Sequence, residues 1–267
     1  MKINKWLRGA EQQLNQVGIG SANLDVLILV EDELKKDRAN LLAHPEIELT
    51  AAQIKTLGSK LKRRLKHEPM AYIRGFSEFY GRKFKIDKHV LEPRPESETM
   101  IELLLSLKLP AKPRLADIGT GSGAIAITAK LEIPNSQVVA TEIDSKALTV
   151  AKQNAKLHKT RLEFIKGDLL APLKQPVNVI LANLPYVPDK WQINEAAAME
   201  PRIAIFGGPD GLNLYRRMFK QIEDLNWQPK FVLTEALPPQ HKALAKIANA
   251  SGYKLKTARD FIQVFSV

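Results

Sequence analysis

The fold is decided by the glycine-rich segment Asp117-Ile118-Gly119-Thr120-Gly121-Ser122-Gly123-Ala124, which follows a short apolar segment and opens a helical pattern. Glycines at alternate positions permit a tight turn and let the backbone approach a ligand closely. Around it, strand-like segments alternate with helical ones, at 114–118, 137–142, 161–165, 177–182, 230–235, 253–258 and 262–267. This alternation predicts an α/β, Rossmann-like fold with a mostly parallel sheet of seven strands. Too few residues separate the last two strands for a crossover helix, so the last strand should be antiparallel.

The spacing of the glycines fits two classes of cofactor site. Gly119-x-Gly121-x-x-Ala124 satisfies the dinucleotide fingerprint, in which a pyrophosphate lies at the helix N-terminus. The segment also resembles the Asp-x-Gly-x-Gly-x-Gly loop of S-adenosylmethionine-dependent methyltransferases. Glu142 ends the second strand and can accept hydrogen bonds from ribose hydroxyls in either class. Asp168 and Leu169 follow the third strand, where such methyltransferases place an acid and an apolar residue around adenine, although a simple turn is an equal interpretation.

A second segment, Asn183-Leu184-Pro185-Tyr186, follows the apolar strand 177–182. Open α/β sheets bind ligands at the carboxyl ends of their strands. An amide carbonyl beside an aromatic ring can hold a planar, weakly nucleophilic nitrogen there. A dehydrogenase has no need of this segment, which resembles the (Asn/Asp/Ser)-Pro-Pro-(Tyr/Phe/Trp) loop of amino methyltransferases. That loop binds the nitrogen that is methylated.

The composition excludes several other functions. The chain has no cysteine, so we expect no disulfide and no thiolate zinc site, and the sequence indicates no other metal site. No signal peptide and no run long enough to span a bilayer are recognisable, which predicts a cytoplasmic protein. The net charge of +11 favours contact with nucleic acid or with a partner bound to it, although a basic but otherwise ordinary enzyme is an equal interpretation.

The residues before the α/β pattern predict a different kind of structure. Residues 1–68 read as a small helical bundle, with a capping box at Thr50 and Gln53. Residues 69–91 read as a linker with a β-hairpin at 71–86, and residues 92–267 as the cofactor-binding domain. The last bundle helix carries basic residues that form either a solvated face or a docking surface for an acidic or RNA-bound partner, namely Lys60, Lys62, Arg63, Arg64 and Lys66.

Together these segments resemble the HemK/PrmC family over nearly the whole chain. The residues that carry the resemblance are Glu68 to Gly75, Glu78 to Gly81, Pro93-Arg94-Pro95-Glu96-Ser97-Glu98, Asp117 to Ala126, Asn183 to Tyr186, Glu200-Pro201 and Gly207 to Leu212. The resemblance implies a class I S-adenosylmethionine-dependent methyltransferase that modifies a glutamine amide in class I peptide-chain release factors. It also implies that the helical bundle docks the release factor, and that neither a membrane nor direct contact with nucleic acid is required. A monomer is expected.

The resemblance also implies roles for individual residues. The Asn183 side-chain oxygen and the Leu184 carbonyl would accept the two amide hydrogens, and Tyr186 would pack on the glutamine amide. Arg94 and Glu96 are expected to bind substrate or to brace the site. The chain departs from the family pattern at three places: Leu184 replaces a proline, Glu92 replaces an apolar residue, and Glu235-Ala236 lacks a glycine. Leucine keeps the carbonyl but adds an N–H and does not fix φ.

Three other functions fit parts of the pattern. A methyltransferase for an exocyclic nitrogen of nucleic acid (adenine N6 or guanine N2) would use the same loop, with a flipped base on Tyr186. A ribosomal-protein glutamine methyltransferase shares the chemistry but differs from this chain at the Pro-Arg-Pro-Glu segment. A non-catalytic cofactor-binding module would not need Asn183.

Overall fold

The computed structural model describes all residues from 1 to 267, and they divide into two compact units. The first consists of Met1–Gly75 with Asn194–Met199, and the second of Phe76–Ile193 with Glu200–Val267. The division into 1–68, 69–91 and 92–267 stays a prediction. No helix in either unit combines the length and apolar character that crossing a membrane requires.

The first unit is helical, as expected. Its core consists of apolar side chains at helical spacing, among them Trp6, Leu14, Leu29 and Leu57. The predicted capping box is present, because Thr50 Oγ1 accepts a hydrogen bond from the Gln53 amide at 3.2 Å and Gln53 Oε1 accepts one from the Thr50 amide at 2.9 Å. The helices are α1 (Ile3–Gln16), α2 (Ala22–Leu34), α3 (Arg38–Ala43), α4 (Ala51–Arg64) and α5 (Met70–Arg74).

The basic run at the end of α4 is largely neutralised within this unit. Lys60 pairs with Glu33 at 3.2 Å, and Arg63 pairs with Glu68. The buried Arg64 pairs with Asp25 at 2.7 Å. A solvated or docking face is therefore formed only by the two remaining exposed lysines, Lys62 and Lys66.

The predicted β-hairpin is present but shorter than expected. Residues 70–74 form helix α5 instead of a strand, because Pro69 begins the helix and Gly75 ends it in the left-handed conformation. The hairpin then consists of β1 (Phe76–Phe79) and β2 (Arg82–Lys85) in antiparallel register. Tyr80 and Gly81 form its two-residue turn with positive φ at both positions.

The second unit is built on a seven-stranded sheet, which confirms the predicted fold. The order of its strands is β5-β4-β3-β6-β7-β9-β8, and β9 alone runs antiparallel to its neighbours. The strands are β3 (Arg114–Ile118), β4 (Gln137–Glu142), β5 (Glu163–Lys166), β6 (Val179–Ala182), β7 (Phe231–Glu235), β8 (Lys254–Arg259) and β9 (Ile262–Ser266). The helices are α6 (Glu98–Leu105), α7 (Ala124–Glu132), α8 (Ser145–Leu157), α9 (Asn213–Glu223) and α10 (His241–Ala250).

The strand order places a ligand site between β3 and β6. The chain proceeds from β3 outward through β4 and β5, and then returns to β6 on the other side of β3. This reversal is the topological switch point, where open α/β sheets form their binding crevice. The register pairs Ile118 with Ala182, so the glycine-rich loop and Asn183 leave the sheet side by side.

Candidate active site

A cavity of about 520 Å³ opens at this switch point. Its volume lies within the range of small-molecule sites, roughly 300–1,000 Å³. Of the residues singled out in the sequence, the wall contains Arg94, Gly119, Thr120, Gly121, Ser122, Glu142, Asp168, Leu169, Asn183, Leu184 and Pro185. Asp117, Gly123, Tyr186 and Glu96 lie outside it. The structure thus brings most of the predicted residues together around one space.

The glycine-rich loop is held from behind by two acids. Asp117 is buried, and its Oδ2 accepts hydrogen bonds from Thr120 Oγ1 at 2.6 Å and from the Ala126 amide, in the first turn of α7, at 3.1 Å. Glu142 Oε2 accepts from the Gly121 amide at 2.9 Å, and its Oε1 accepts from the Asp144 amide at 3.0 Å. Each carboxylate oxygen of Glu142 keeps a second lone pair, so both can still accept a ribose hydroxyl.

The loop leaves room for a ligand where a cofactor is expected. Gly121 has φ 54°, and a β-carbon on it would meet no atom within 4 Å, so its open side is available to a ligand. A β-carbon on Gly123 would instead lie 3.2 Å from the Ala151 β-carbon, so this glycine serves the packing of helices α7 and α8. The loop, the acid at the end of β4 and the apolar wall together fit a nucleoside-containing cofactor.

The predicted adenine-side residues show a strained backbone and an ion pair. Leu169 is buried in the cavity wall with φ 52°, a left-handed conformation that costs a non-glycine residue roughly 1–2 kcal/mol. Asp168 forms an ion pair with Arg217 of α9, which also lines the cavity. Arg217 was not singled out in the sequence, because nothing in its local pattern distinguishes it from other exposed helical arginines.

The extra N–H that leucine brings to position 184 has a partner. The Leu184 amide donates to the hydroxyl of Tyr215 at 3.2 Å, and this fully buried hydroxyl also contacts the carbonyl oxygens of Ala182 (3.2 Å) and Glu235. The leucine side chain is buried against the glycine-rich loop, with its Cδ2 3.1 Å from where a Gly119 β-carbon would lie. Packing and one hydrogen bond thus restrain Leu184, whereas a proline at this position would be restrained by its ring, which fixes φ.

Asn183 is held by a buried polar network. Its Nδ2 donates to Ser97 Oγ at 2.9 Å, and Ser97 Oγ donates to Glu235 Oε2 at 2.6 Å. The hydroxyl of Tyr186 donates to Glu235 Oε1 at 3.1 Å. Burial raises the pKa of Glu235 to about 7, although the hydrogen bonds from Ser97 and Tyr186 lower it. Burial also raises the pKa of the Tyr186 hydroxyl, so this group remains a donor at neutral pH.

The Pro-Arg-Pro-Glu segment contributes an ion pair to the cavity wall. Arg94 lines the cavity and pairs with the buried carboxylate of Glu200, which also accepts from the Glu92 amide at 3.0 Å. The Glu92 side chain lies 3.6 Å from Arg94 and accepts from Ser77 Oγ at 2.8 Å. Glu96 is exposed. Arg94 therefore joins the cavity wall to Glu200, and whether Arg94 or Glu96 contacts substrate or braces the site stays a prediction.

The segment from Gly207 to Leu212 lies directly against the Asn183 to Tyr186 loop. A β-carbon on Gly207 would be 2.2 Å from the Pro185 carbonyl oxygen, and one on Gly211 would be 1.9 Å from the Tyr186 carbonyl oxygen. Gln240 Nε2 donates to the carbonyls of Tyr186 and Asp210, both at 2.7 Å. Glycine is required at both positions because the two backbones touch.

Comparison with known proteins identifies the family. The chain matches two family models, the PrmC N-terminal domain over residues 5–75 and the Methyltransferase small domain over residues 97–200. It is 37% identical to a "Release factor glutamine methyltransferase" of Coxiella burnetii, with 97% of this chain and 94% of that protein covered. The chain belongs to the release factor glutamine methyltransferase family. The predicted HemK/PrmC resemblance is therefore confirmed.

Other relatives agree with membership of the release factor glutamine methyltransferase family. A protein of the same name from Deinococcus radiodurans is 30% identical over 97% of this chain and 95% of its own length. A "Bifunctional methyltransferase" of Rickettsia bellii is 33% identical over 98% of this chain, which spans only about half (53%) of that longer protein. The shared region thus corresponds to one part of the bifunctional protein.

Solved structures support the fold alone. A methyltransferase from Pyrococcus furiosus aligns with a TM-score of 0.53 and 19% identity, covering 70% of this chain and 90% of that one. The hMettl16 catalytic domain, solved in complex with an RNA hairpin, aligns with a TM-score of 0.56 and 14% identity, covering 90% and 89%. Both are consistent with a Rossmann-like methyltransferase fold in this family member.

Two residues of the polar network around Asn183, Ser97 and Glu235, were not predicted as site residues from the sequence. Ser97 lies inside the Pro-Arg-Pro-Glu-Ser-Glu motif, and Glu235 ends the strand next to β6. The rule that ligands bind at carboxyl ends of strands near the switch point could have selected Glu235. No local signal marks Ser97 as its partner, since 138 residues separate them.

The buried acid behind the glycine-rich loop predicts a pH-dependent stability. Burial raises the pKa of Asp117 to about 7 from 3.8, against the hydrogen bonds from Thr120 and Ala126. The folded state therefore binds more protons than the unfolded state between about pH 4 and 7, so this group lowers stability as pH rises through that range. The effect is at most about 1.4 kcal/mol per pH unit.

We expect Asp117→Asn to remove this dependence. Its free energy of unfolding relative to the unmodified protein should increase from pH 5 to pH 8, as measured by urea unfolding at each pH. Glu235 titrates in both proteins, so its contribution cancels in the difference. A difference that stays constant with pH would contradict the assignment of the titration to Asp117.

Proposed function

We propose that this protein transfers a methyl group from S-adenosylmethionine to the side-chain amide nitrogen of a glutamine, in the Gly-Gly-Gln motif of class I peptide-chain release factors. The observation that carries this proposal is the adjacent exit of the glycine-rich loop and Asn183 from β3 and β6. A cofactor loop and an amide-binding loop thereby share one cavity. The names of the relatives from Coxiella burnetii and Deinococcus radiodurans support the choice of substrate.

The chain's own residues would hold the cofactor on the glycine side of the cavity. The Gly119 to Gly123 backbone would allow close approach, Glu142 would accept the ribose hydroxyls, and Asp168 and Leu169 would lie beside the adenine. Asp117 lies outside the cavity wall and would fix the loop through its hydrogen bond with Thr120. When bound, S-adenosylmethionine would supply an electrophilic methyl carbon. The amide nitrogen would bond to this carbon as the carbon's bond to sulfur breaks, which would leave S-adenosylhomocysteine and release the surplus proton of the nitrogen to solvent.

The residues on the other side would position the nucleophile. A carboxamide nitrogen is a poor nucleophile because its lone pair is delocalised, and it carries two N–H donors. The Asn183 side-chain oxygen and the Leu184 carbonyl would accept these two hydrogens and aim the nitrogen at the methyl carbon. Orientation of this kind contributes on the order of 7–11 kcal/mol in favourable cases. The ring of Tyr186, fixed by its hydrogen bond to Glu235, would shield the amide from water.

The remaining parts of the proposal concern the setting of the reaction. The helical unit would dock the release factor, and Lys62 and Lys66 are the two cations of the α4 basic run that remain exposed without an acidic partner. The protein would act as a monomer in the cytoplasm, in translation termination, without direct contact with nucleic acid. The charge of +11 suits a partner that works on the ribosome.

Labelled S-adenosylmethionine tests the function directly. The protein of residues 1–267 is incubated separately with a purified class I release factor, a release factor whose Gly-Gly-Gln glutamine is changed to alanine, ribosomal proteins, and RNA or DNA. We expect label only in the unmodified release factor. Label in ribosomal protein or nucleic acid, with none in the release factor, would replace the proposed substrate. Label that persists in the alanine variant would refute the proposed site of methylation.

A further inference from the structure

The polar network behind Asn183 determines which end of its side-chain amide faces the cavity. Ser97 and Glu235 are each 1% exposed, so water cannot substitute for their hydrogen bonds. We propose that Ser97 and Glu235 are positioning residues that lock the Asn183 amide with its oxygen toward the cavity. This inference rests on the proposed function, because it assigns the oxygen to the amide hydrogens of the substrate glutamine.

The direction of the hydrogen bonds follows from the number of available protons. A serine hydroxyl has one proton to donate, and Ser97 is 2.6 Å from Glu235 Oε2, which accepts it when the carboxylate is ionised. Ser97 Oγ can then only accept from Asn183, 2.9 Å away. The nitrogen end of the amide must therefore face Ser97.

The carboxylate of Glu235 is itself fixed by donors from separate segments. Ser97 reaches it from the 3₁₀ turn Pro95–Ser97, and Tyr186 reaches it from the loop after β6 at 3.1 Å. The tyrosine hydroxyl occupies Oε1, so Oε2 remains directed at Ser97. When Glu235 is ionised, this one buried carboxylate accepts from both donors and so sets the order of the network.

The orientation matters because the substrate nitrogen offers only donors. With its oxygen toward the cavity, Asn183 can accept an amide hydrogen of glutamine. With the amide flipped, its NH₂ group would face the NH₂ group of the substrate, and two donors cannot form a hydrogen bond. Without the Ser97 hydroxyl, the Asn183 side-chain nitrogen loses the acceptor that keeps it directed away from the cavity. This nitrogen is then a donor without a hydrogen-bond partner.

A matched pair of substitutions tests this inference. Threonine and valine have nearly the same shape, and only threonine keeps the hydroxyl, so Ser97→Thr and Ser97→Val differ in the proposed function alone. We expect Ser97→Val to lower kcat at least about tenfold relative to Ser97→Thr, because a misplaced reactant is costly. KM for the release factor should stay within about threefold, since a protein substrate is held mainly by contacts elsewhere. Glu235→Gln should lower kcat as well, and its combination with Ser97→Val should lower it no further than the larger single effect.

A second measurement does not depend on activity. In protein labelled with ¹⁵N in its asparagine side chains, the Asn183 resonances are assigned by their loss in Asn183→Ala. They should shift in Ser97→Val and remain near their original positions in Ser97→Thr. If the valine protein does not fold, Ser97→Ala is compared with the unmodified protein by the same criteria.

The outcomes separate this inference from the proposed function. Equal kcat values and equal Asn183 resonances in the threonine and valine proteins would overturn the locking of the amide. If the labelling experiment finds a different methyl acceptor, the kinetics are measured with that acceptor. The resonance comparison needs no substrate and therefore stands in either case.

Discussion

Asn183→Ala is expected to lower the rate of methyl transfer to the release factor by about 100-fold or more, since loss of precise orientation alone has costs of this order. The change removes the side-chain acceptor for the substrate amide while the Leu184 carbonyl remains. The rate is measured by transfer of labelled methyl groups at saturating cofactor. The affinity for S-adenosylmethionine, measured by calorimetry, should change much less, because the Gly119 to Gly123 loop and Glu142 are untouched.

Asn249→Ala provides the matched control for this prediction. Asn249 is an exposed residue of α10 in the same structural unit, and it lies outside the cavity wall. Its replacement should leave transfer and cofactor affinity unchanged. Full transfer activity in Asn183→Ala would remove the basis for assigning the amide-binding role to this loop.

Gly211→Ala is expected to destabilise the second unit by about 2–5 kcal/mol, from a left-handed conformation of a non-glycine residue together with overpacking. Gly211 has φ 79°, and an added β-carbon would lie 1.9 Å from the Tyr186 carbonyl oxygen and 2.4 Å from Gln240 Nε2. The Tyr186 carbonyl is backbone, so the loop itself must move. The free energy of unfolding in urea measures the effect, and methyl transfer should fall in the protein that remains folded.

Gly252→Ala separates the cost of the left-handed conformation from the cost of overpacking. Gly252 has a similar φ of 84°, but its β-carbon would meet only Gln228 Nε2, at an ordinary 3.6 Å. This variant should lose only the roughly 1–2 kcal/mol of the left-handed conformation, and it should keep full transfer activity. Equal losses of stability in the two variants would mean that the contact with the Tyr186 loop contributes nothing.

Much of the fold followed from local patterns in the sequence. The glycine-rich segment, the seven strand-like segments and the short connection before the last strand were sufficient for the sheet and its antiparallel strand. The extent of the hairpin was wrong because Pro69 and Gly75 bound a single helical turn that is too short to show a helical period. Short elements depend on their end residues more than on the pattern of apolar residues between them.

The wall of the cavity was more accessible to sequence reasoning than the layer behind it. Glycines and an amide that directly follow predicted strands can be assigned to the ligand-binding edge from the sequence, because the topology brings the carboxyl ends of these strands together. The hydrogen bonds of Ser97 to Glu235 and of Leu184 to Tyr215 join residues 138 and 31 positions apart, and only the folded chain brings them together. The sequence alone also did not reveal that three cations of the α4 basic run are neutralised by acids of the same unit.

The packing of Leu184 on Gly119 has a thermodynamic consequence for the two reactants. The leucine Cδ2 lies close to the first glycine of the cofactor loop, so a shift of either loop on binding is transmitted through this contact. Interior contacts are close-packed and yield little. Linkage requires that cofactor and acceptor alter each other's affinity by the same factor. The contact between Leu184 and Gly119 would therefore couple the affinities of the two reactants, equally in both directions.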